Sequence, residues 1–151
     1  MRKLVVSVMI AATSQIVSAD ANDGSQSIDS ERVRSGRAVY EQHCASCHGV
    51  QAEGASNWQV RDPNGELPAP PHNAEGHTWR HSDAELYEMV SKGWRDPFNK
   101  TTRLTMPAFD GVLSADQIQA VISYLKTLWT PEQTEFQSEE SKDHPFPSAG
   151  K

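Results

Sequence analysis

The feature that most constrains this chain is Cys44-Ala45-Ser46-Cys47-His48, two thiols separated by two residues with a histidine directly after the second. This order is the one used to attach a haem covalently to a polypeptide. Each cysteine adds across a haem vinyl group to form a thioether, and the adjacent histidine is held beneath the iron. A chain that carries it folds around a large apolar face supplied by the cofactor. Cys44 and Cys47 are the only two cysteines, so both are used. The competing readings are a disulfide, a thioredoxin-like redox pair and half of a zinc site. A redox pair belongs in a βαβ pattern, and a zinc site needs a second Cys or His pair at ligand spacing. Neither surrounds this motif.

Arg2 and Lys3 precede an apolar run from Leu4 to Ala12, followed by the small-residue site Val17-Ser18-Ala19. This is the pattern of a secretory signal peptide, and the run is too short to span a bilayer. The expectation is a leader over residues 1–19, cleaved at Ala19 or alternatively Ala21, and a mature chain with no membrane span, exported to the periplasm. About 130 residues then remain, enough for one small domain. Lys and Arg total 14 against 20 for Asp and Glu, a formal charge of −6 that becomes −8 without Arg2 and Lys3. Such acidity argues against a nucleic-acid partner and suits basic docking patches on redox partners, or simply solubility.

Helical signals dominate. A first helix is expected from about Asp29, with Val33, Gly36, Tyr40, Cys44 and Cys47 on one face. Ser82 and Glu85 form a capping box for a second, which carries Leu86, Met89 and Val90 and ends at Gly93. Ser114 and Gln117 start a third, whose stripe is Ile118, Val121, Ile122, Leu125, Leu128 and Trp129. Thr130-Pro131 reads as its stop. Two long stretches, Gly49 to His81 and Gly93 to Leu113, are rich in Pro, Gly and Asn, which suits loops wrapped around a cofactor. The organisation expected is a leader, a domain over 20–131, and a polar C-terminal extension over 132–151, mobile or lightly packed.

Four features in this order resemble a bacterial class I cytochrome c: Gly36-Arg37-Ala38-Val39-Tyr40, the Cys44–His48 motif, Met106-Pro107-Ala108-Phe109, and a last helix bearing Tyr124. The resemblance spans about Asp29 to Trp129. It implies an all-α cytochrome c fold, three main helices with long loops around one haem c. It also implies a close crossing of the first and last helices at Gly36, Tyr40 and Tyr124, and Met106 as the iron's sixth ligand.

The residues alone favour the same ligand. Beyond the leader only Met89 and Met106 remain, Met89 on the apolar face of a helix and Met106 in a loop before a proline that favours extended backbone. A thioether opposite imidazole favours ferrous iron. His43, His72, His77, His81 and His144 compete chemically, and His72, His77 and His81 are an alternative copper or zinc site. The far ring N–H of His48 should donate to a backbone carbonyl, for which the Pro68-Ala69-Pro70-Pro71 segment is the best source; in the resembled family a proline-containing loop supplies it, which points to Pro70 or Pro71. Trp79, Arg80 and Trp58 are candidates for the haem propionates.

The function expected is periplasmic one-electron transfer through haem c with His48 and Met106 as axial ligands, and not an enzyme activity. The alternatives are an electron-transfer subunit bound permanently to a dehydrogenase or oxidase, and a haem peroxidase with an open sixth position.

Overall fold

A computed structural model describes residues 22–148, with side chains from Asp29. The expected leader, residues 1–19, lies outside the described residues. The order is α1 (Asn22–His43), α2 (Ala45–His48), a 3-10 turn (Thr78–Arg80), α3 (Asp83–Lys92), α4 (Ala115–Lys126) and α5 (Pro131–Asp143). Among the described residues there is no strand; the one extended pairing is an isolated antiparallel bridge between Trp94 and Met106. The all-α architecture with long loops expected from the sequence is observed.

The core lies where α1 crosses α4. The α4 stripe buries Ile118, Val121, Ile122 and Leu125 against Val39 and Tyr40 of α1. Gly36 sets the approach: a Cβ there would run into the Ala120 carbonyl. The Tyr40 and Tyr124 rings meet beside it, centroids 5.5 Å apart. Packing two helices backbone to backbone in this way leaves no room for even one methyl group.

Both capping boxes form. Ser82 Oγ accepts from the Glu85 N–H while the Glu85 carboxylate accepts from the Ser82 N–H, and Ser114 and Gln117 repeat the exchange. The first helix differs from expectation in two ways. It starts earlier than Asp29, and it breaks after His43, so α2 is a separate turn in which Cys44 is half-buried and Cys47 exposed. The two thiols are thus not on one continuous helical face. The Cys44 carbonyl accepts from the N–H groups of both Cys47 and His48, which tightens the turn that presents them.

The C-terminal segment also departs from expectation. Residues from Pro131 form α5 rather than a loose arm, started by a Thr130–Gln133 capping box with Pro131 in the first turn. Its buried side chains are polar. Gln137, 1% exposed, donates to Asp83 Oδ1 at 2.7 Å and to Ser141 Oγ at 2.9 Å, and Ser141 accepts from the Asp83 N–H at 3.0 Å. Lys126 Nζ reaches the same Asp83 carboxylate at 2.6 Å. A helix docked by hydrogen bonds has no apolar stripe to read.

Candidate functional site

The helices and the two long loops enclose a mostly apolar cavity of about 800 Å³, in the upper part of the ~300–1,000 Å³ range of ligand sites. Cys44, Cys47, His48, Pro70 and Met106 all line it. Trp79 does not: its indole N–H donates to the Gly76 carbonyl at 3.0 Å, its ring meets Phe136 edge-on, and Arg80 lies over it. The 3-10 turn packs Trp79 beneath α5, while Trp58 is the tryptophan on the cavity wall beside Trp94.

His48 is buried at the end of α2, and its Nδ1 lies 2.9 Å from the Pro70 carbonyl. A carbonyl only accepts, so Nδ1 carries the proton and Nε2 keeps its lone pair, the form an iron ligand requires. Burial holds the imidazole below its ordinary pKa, only partly offset by that hydrogen bond, which further favours the neutral ring. Pro70 is itself placed by the backbone: the His72 N–H donates to the Ala52 carbonyl at 2.9 Å, the Ala55 N–H to the Ala69 carbonyl, and the Gly54 N–H to the His48 carbonyl. The Tyr40 hydroxyl closes the turn by donating to the Gly49 carbonyl at 2.8 Å.

The cysteines are free thiols, and burial, then the neighbouring Cys47, pushes the Cys44 thiol up to about 11. On the far loop Met106 is half-buried, and its backbone is bonded in both directions to Trp94, at 2.9 and 3.0 Å. Gly93, at φ +76°, lets α3 end close to this loop; a Cβ there would press on the Met106 carbonyl and the Ala108 N–H. Met89 also lines the cavity, from α3.

Three of the competing histidines are engaged by aromatic neighbours. His43 packs edge-on to Phe109, His77 lies over Trp58 at 6.0 Å, and His72 is stacked on His48. Among the described residues no three His, Cys, Asp or Glu side chains are grouped to hold a further metal ion. The cavity has one polar stretch that the sequence reading did not single out. Arg61 pairs with Asp96 at 2.7 Å, and Arg103 pairs with Glu66. Both carboxylates are 5% exposed. Each pair joins the two long loops, which have no periodicity, so only a search for opposite charges between loops would have found them.

The donor set fits a covalently attached haem: two thiols on one turn, an imidazole with its outer nitrogen satisfied, thioethers lining the same apolar cavity, and ion-paired arginines at its polar stretch.

A family model described as Cytochrome c matches residues 33–129. The chain is 28% identical over 98 residues to the Cbb3-type cytochrome c oxidase subunit CcoP of Azospirillum sp. (strain B510), covering 62% of this chain and 29% of that protein. It is also 28% identical over 97 residues to the corresponding subunit FixP of Sinorhizobium medicae (strain WSM419), covering 64% and 30%. It therefore spans under a third of the length of these curated relatives. Among solved structures it is similar to cytochrome CL of the marine methylotroph Methylophaga aminisulfidivorans MPT, with a TM-score of 0.50, 19% identity, and 82% and 71% of the two chains covered. Matched over more than half its length by that family model, and folded in the same way, the chain belongs to the cytochrome c family as a class I c-type cytochrome.

Proposed function

We propose that this chain is a periplasmic one-electron carrier holding one haem c through Cys44 and Cys47, with His48 and Met106 as axial ligands. Family membership supplies the coarser part, a covalent haem and electron transfer. The convergence of Cys44, Cys47, His48 and Met106 on one apolar cavity is the observation that supports the rest. Bound there, haem supplies a one-electron iron couple that a thioether ligand biases toward the ferrous form.

The chain's own residues do the positioning. Cys44 and Cys47 fix the cofactor to the α2 turn, and the exposure of Cys47, beside Val50 at 73% exposed, brings the attachment edge to the surface where electrons can pass. Pro70 holds the proton on Nδ1 of His48, keeping Nε2 available. Leu86, Val121, Ile122 and Leu125 exclude water from the cavity. Were His48 and Met106 both to hold the iron, no open position would remain for peroxide or oxygen, which is what separates this reading from a peroxidase.

A second reading is a fixed electron-transfer subunit, favoured by relatives that are oxidase subunits and of which the chain matches only a part. Among the described residues no helix is long and apolar enough to cross a membrane, so such a subunit would be held by protein contacts or by segments beyond those described. Gel filtration of the native protein separates the two: a monomer no larger than the full chain's 16.7 kDa plus one haem supports the carrier, and a large complex supports the subunit.

The axial ligand is tested spectroscopically. The oxidised protein should show the weak far-red sulfur-to-iron band. Met106→Ala should abolish the band, open the iron to cyanide and lower the reduction potential. A Met106→Ala protein that keeps the band, or a wild type that lacks it and turns over peroxide, would overturn the proposal.

A further inference from the structure

The His48 imidazole is held by more than its carbonyl partner. The His72 ring lies against its face, centroids 4.0 Å apart and planes 26° from parallel. His72 follows Pro70 and Pro71 directly, so one short segment presents both the carbonyl that meets the edge of the His48 ring and the ring that meets its face. The backbone of His72 is fixed on both sides: its N–H donates to the Ala52 carbonyl at 2.9 Å, and its carbonyl accepts from the Trp129 indole N–H at 2.9 Å. Its side chain is anchored too. Nδ1 lies 2.8 Å from Thr78 Oγ1, a buried hydroxyl that donates to the Pro71 carbonyl at 3.4 Å. With that proton directed to Pro71, the Thr78 oxygen accepts from His72 Nδ1–H.

A single hydrogen bond to Nδ1 leaves an imidazole free to swing about the N–H···O axis. A flat group packed on its face removes that freedom, because rotation would drive the ring edge into the neighbour. We infer that His72 is a positioning residue for His48, its Thr78-anchored ring clamping the plane of the ligand imidazole while Pro70 sets the tautomer. The inference rests on His48 being the axial ligand. The imidazole plane matters because its orientation decides how the ring's π orbitals overlap the iron d orbitals, and so the magnetic anisotropy of the ferric centre.

The test is the electron paramagnetic resonance spectrum of the oxidised, haem-loaded protein. His72→Leu keeps an apolar contact but removes the flat face, and should broaden and shift the low-field feature. His72→Phe keeps the flat ring but, like Thr78→Val, loses the anchor, and should broaden that feature less than His72→Leu. Thr78→Val loosens only the anchor and should give a smaller broadening than His72→Leu. A His72→Leu spectrum superimposable on wild type overturns the inference, as does a His72→Phe spectrum as broadened as that of His72→Leu. If His72→Leu fails to retain haem, Thr78→Val decides: broadening supports the clamp, and a wild-type spectrum overturns it. A wild-type protein without a low-spin ferric signal overturns the ligand reading itself, and the clamp with it, before any variant is compared.

Discussion

On the His48 wall of the cavity, buried backbone does the positioning. His48 is 7% exposed and Tyr40 is fully buried, and hydrogen bonds from Gly54, Ala55 and His72 tie the Pro70 loop to the helix turn that it serves. On the Met106 wall, the loop from Gly93 to Leu113 is held by the Trp94–Met106 bridge, by ion pairs and the Lys100 N–H to the other loop, and by the Phe109 and Asp110 N–H groups to the end of α3, and it leaves Trp94, Phe98 and Leu104 between 41% and 68% exposed. The difference follows from separation along the chain. Cys44, Cys47 and His48 lie within five residues and are placed by one turn of helix, whereas Met106, 58 residues after His48, has to be carried by tertiary contacts. The first wall is therefore expected to tolerate loss of the second, and not the reverse.

The largest expected effect removes the attachment altogether. Denaturing mass spectrometry of wild type should find the haem mass on the polypeptide in acid and organic solvent, and Cys44→Ser with Cys47→Ser should lose it completely while the Met106→Ala protein retains it. A Met106→Ala protein that loses covalent haem would erase the distinction between the walls.

Next in size is Gly36→Val, which acts behind the His48 wall. Any side chain there collides with the backbone of α4 at Ala120, so the cost should be about 1–3 kcal/mol, read as a lowered denaturant midpoint. Wild-type stability in this variant would mean that the α1–α4 crossing does not support the site.

Asp96→Asn probes the Met106 wall. Asp96 accepts from Arg61 Nη1, from the Phe98 N–H and from the Leu67 N–H, so neutralising it should cost about 1–3 kcal/mol. The far-red band should weaken at temperatures where the haem remains attached. Simultaneous loss of band and fold would show that the two walls melt as one unit.

Met89→Leu should have the smallest effect, below about 1.5 kcal/mol, since it conserves volume in an apolar setting. The far-red band should be unchanged. A lost band would make Met89, not Met106, the ligand, and would shift the soft wall from the loop to α3.

Much of this was legible in the residues. The Cys44–His48 spacing names its own chemistry, and the capping boxes at Ser82 and Ser114 mark helix starts because their partners are three residues apart. Gly36, Tyr40 and Tyr124 met as the resemblance implied. α5 was missed because Gln137 and Ser141 dock by hydrogen bonds to Asp83, a partner more than 50 residues away in the chain. The surroundings of Trp79 were illegible for a related reason: an indole beside an arginine suits a propionate and a surface equally well, and the packing of α5 on the 3-10 turn is a tertiary contact.

What the sequence by itself determined are the features carried by near neighbours: the thiol pair with its histidine, the two capping boxes, the α4 stripe, and the acidity of the chain. Their geometry lies within one or two turns of backbone, where covalent connectivity leaves few alternatives. Only the tertiary structure decided which carbonyl meets His48, that His72 stacks on it rather than joining His77 and His81, and which buried carboxylates pair with Arg61 and Arg103. Those contacts join residues separated by irregular chain with no repeating pattern, so their partners are selected by the closing of the cavity as a whole.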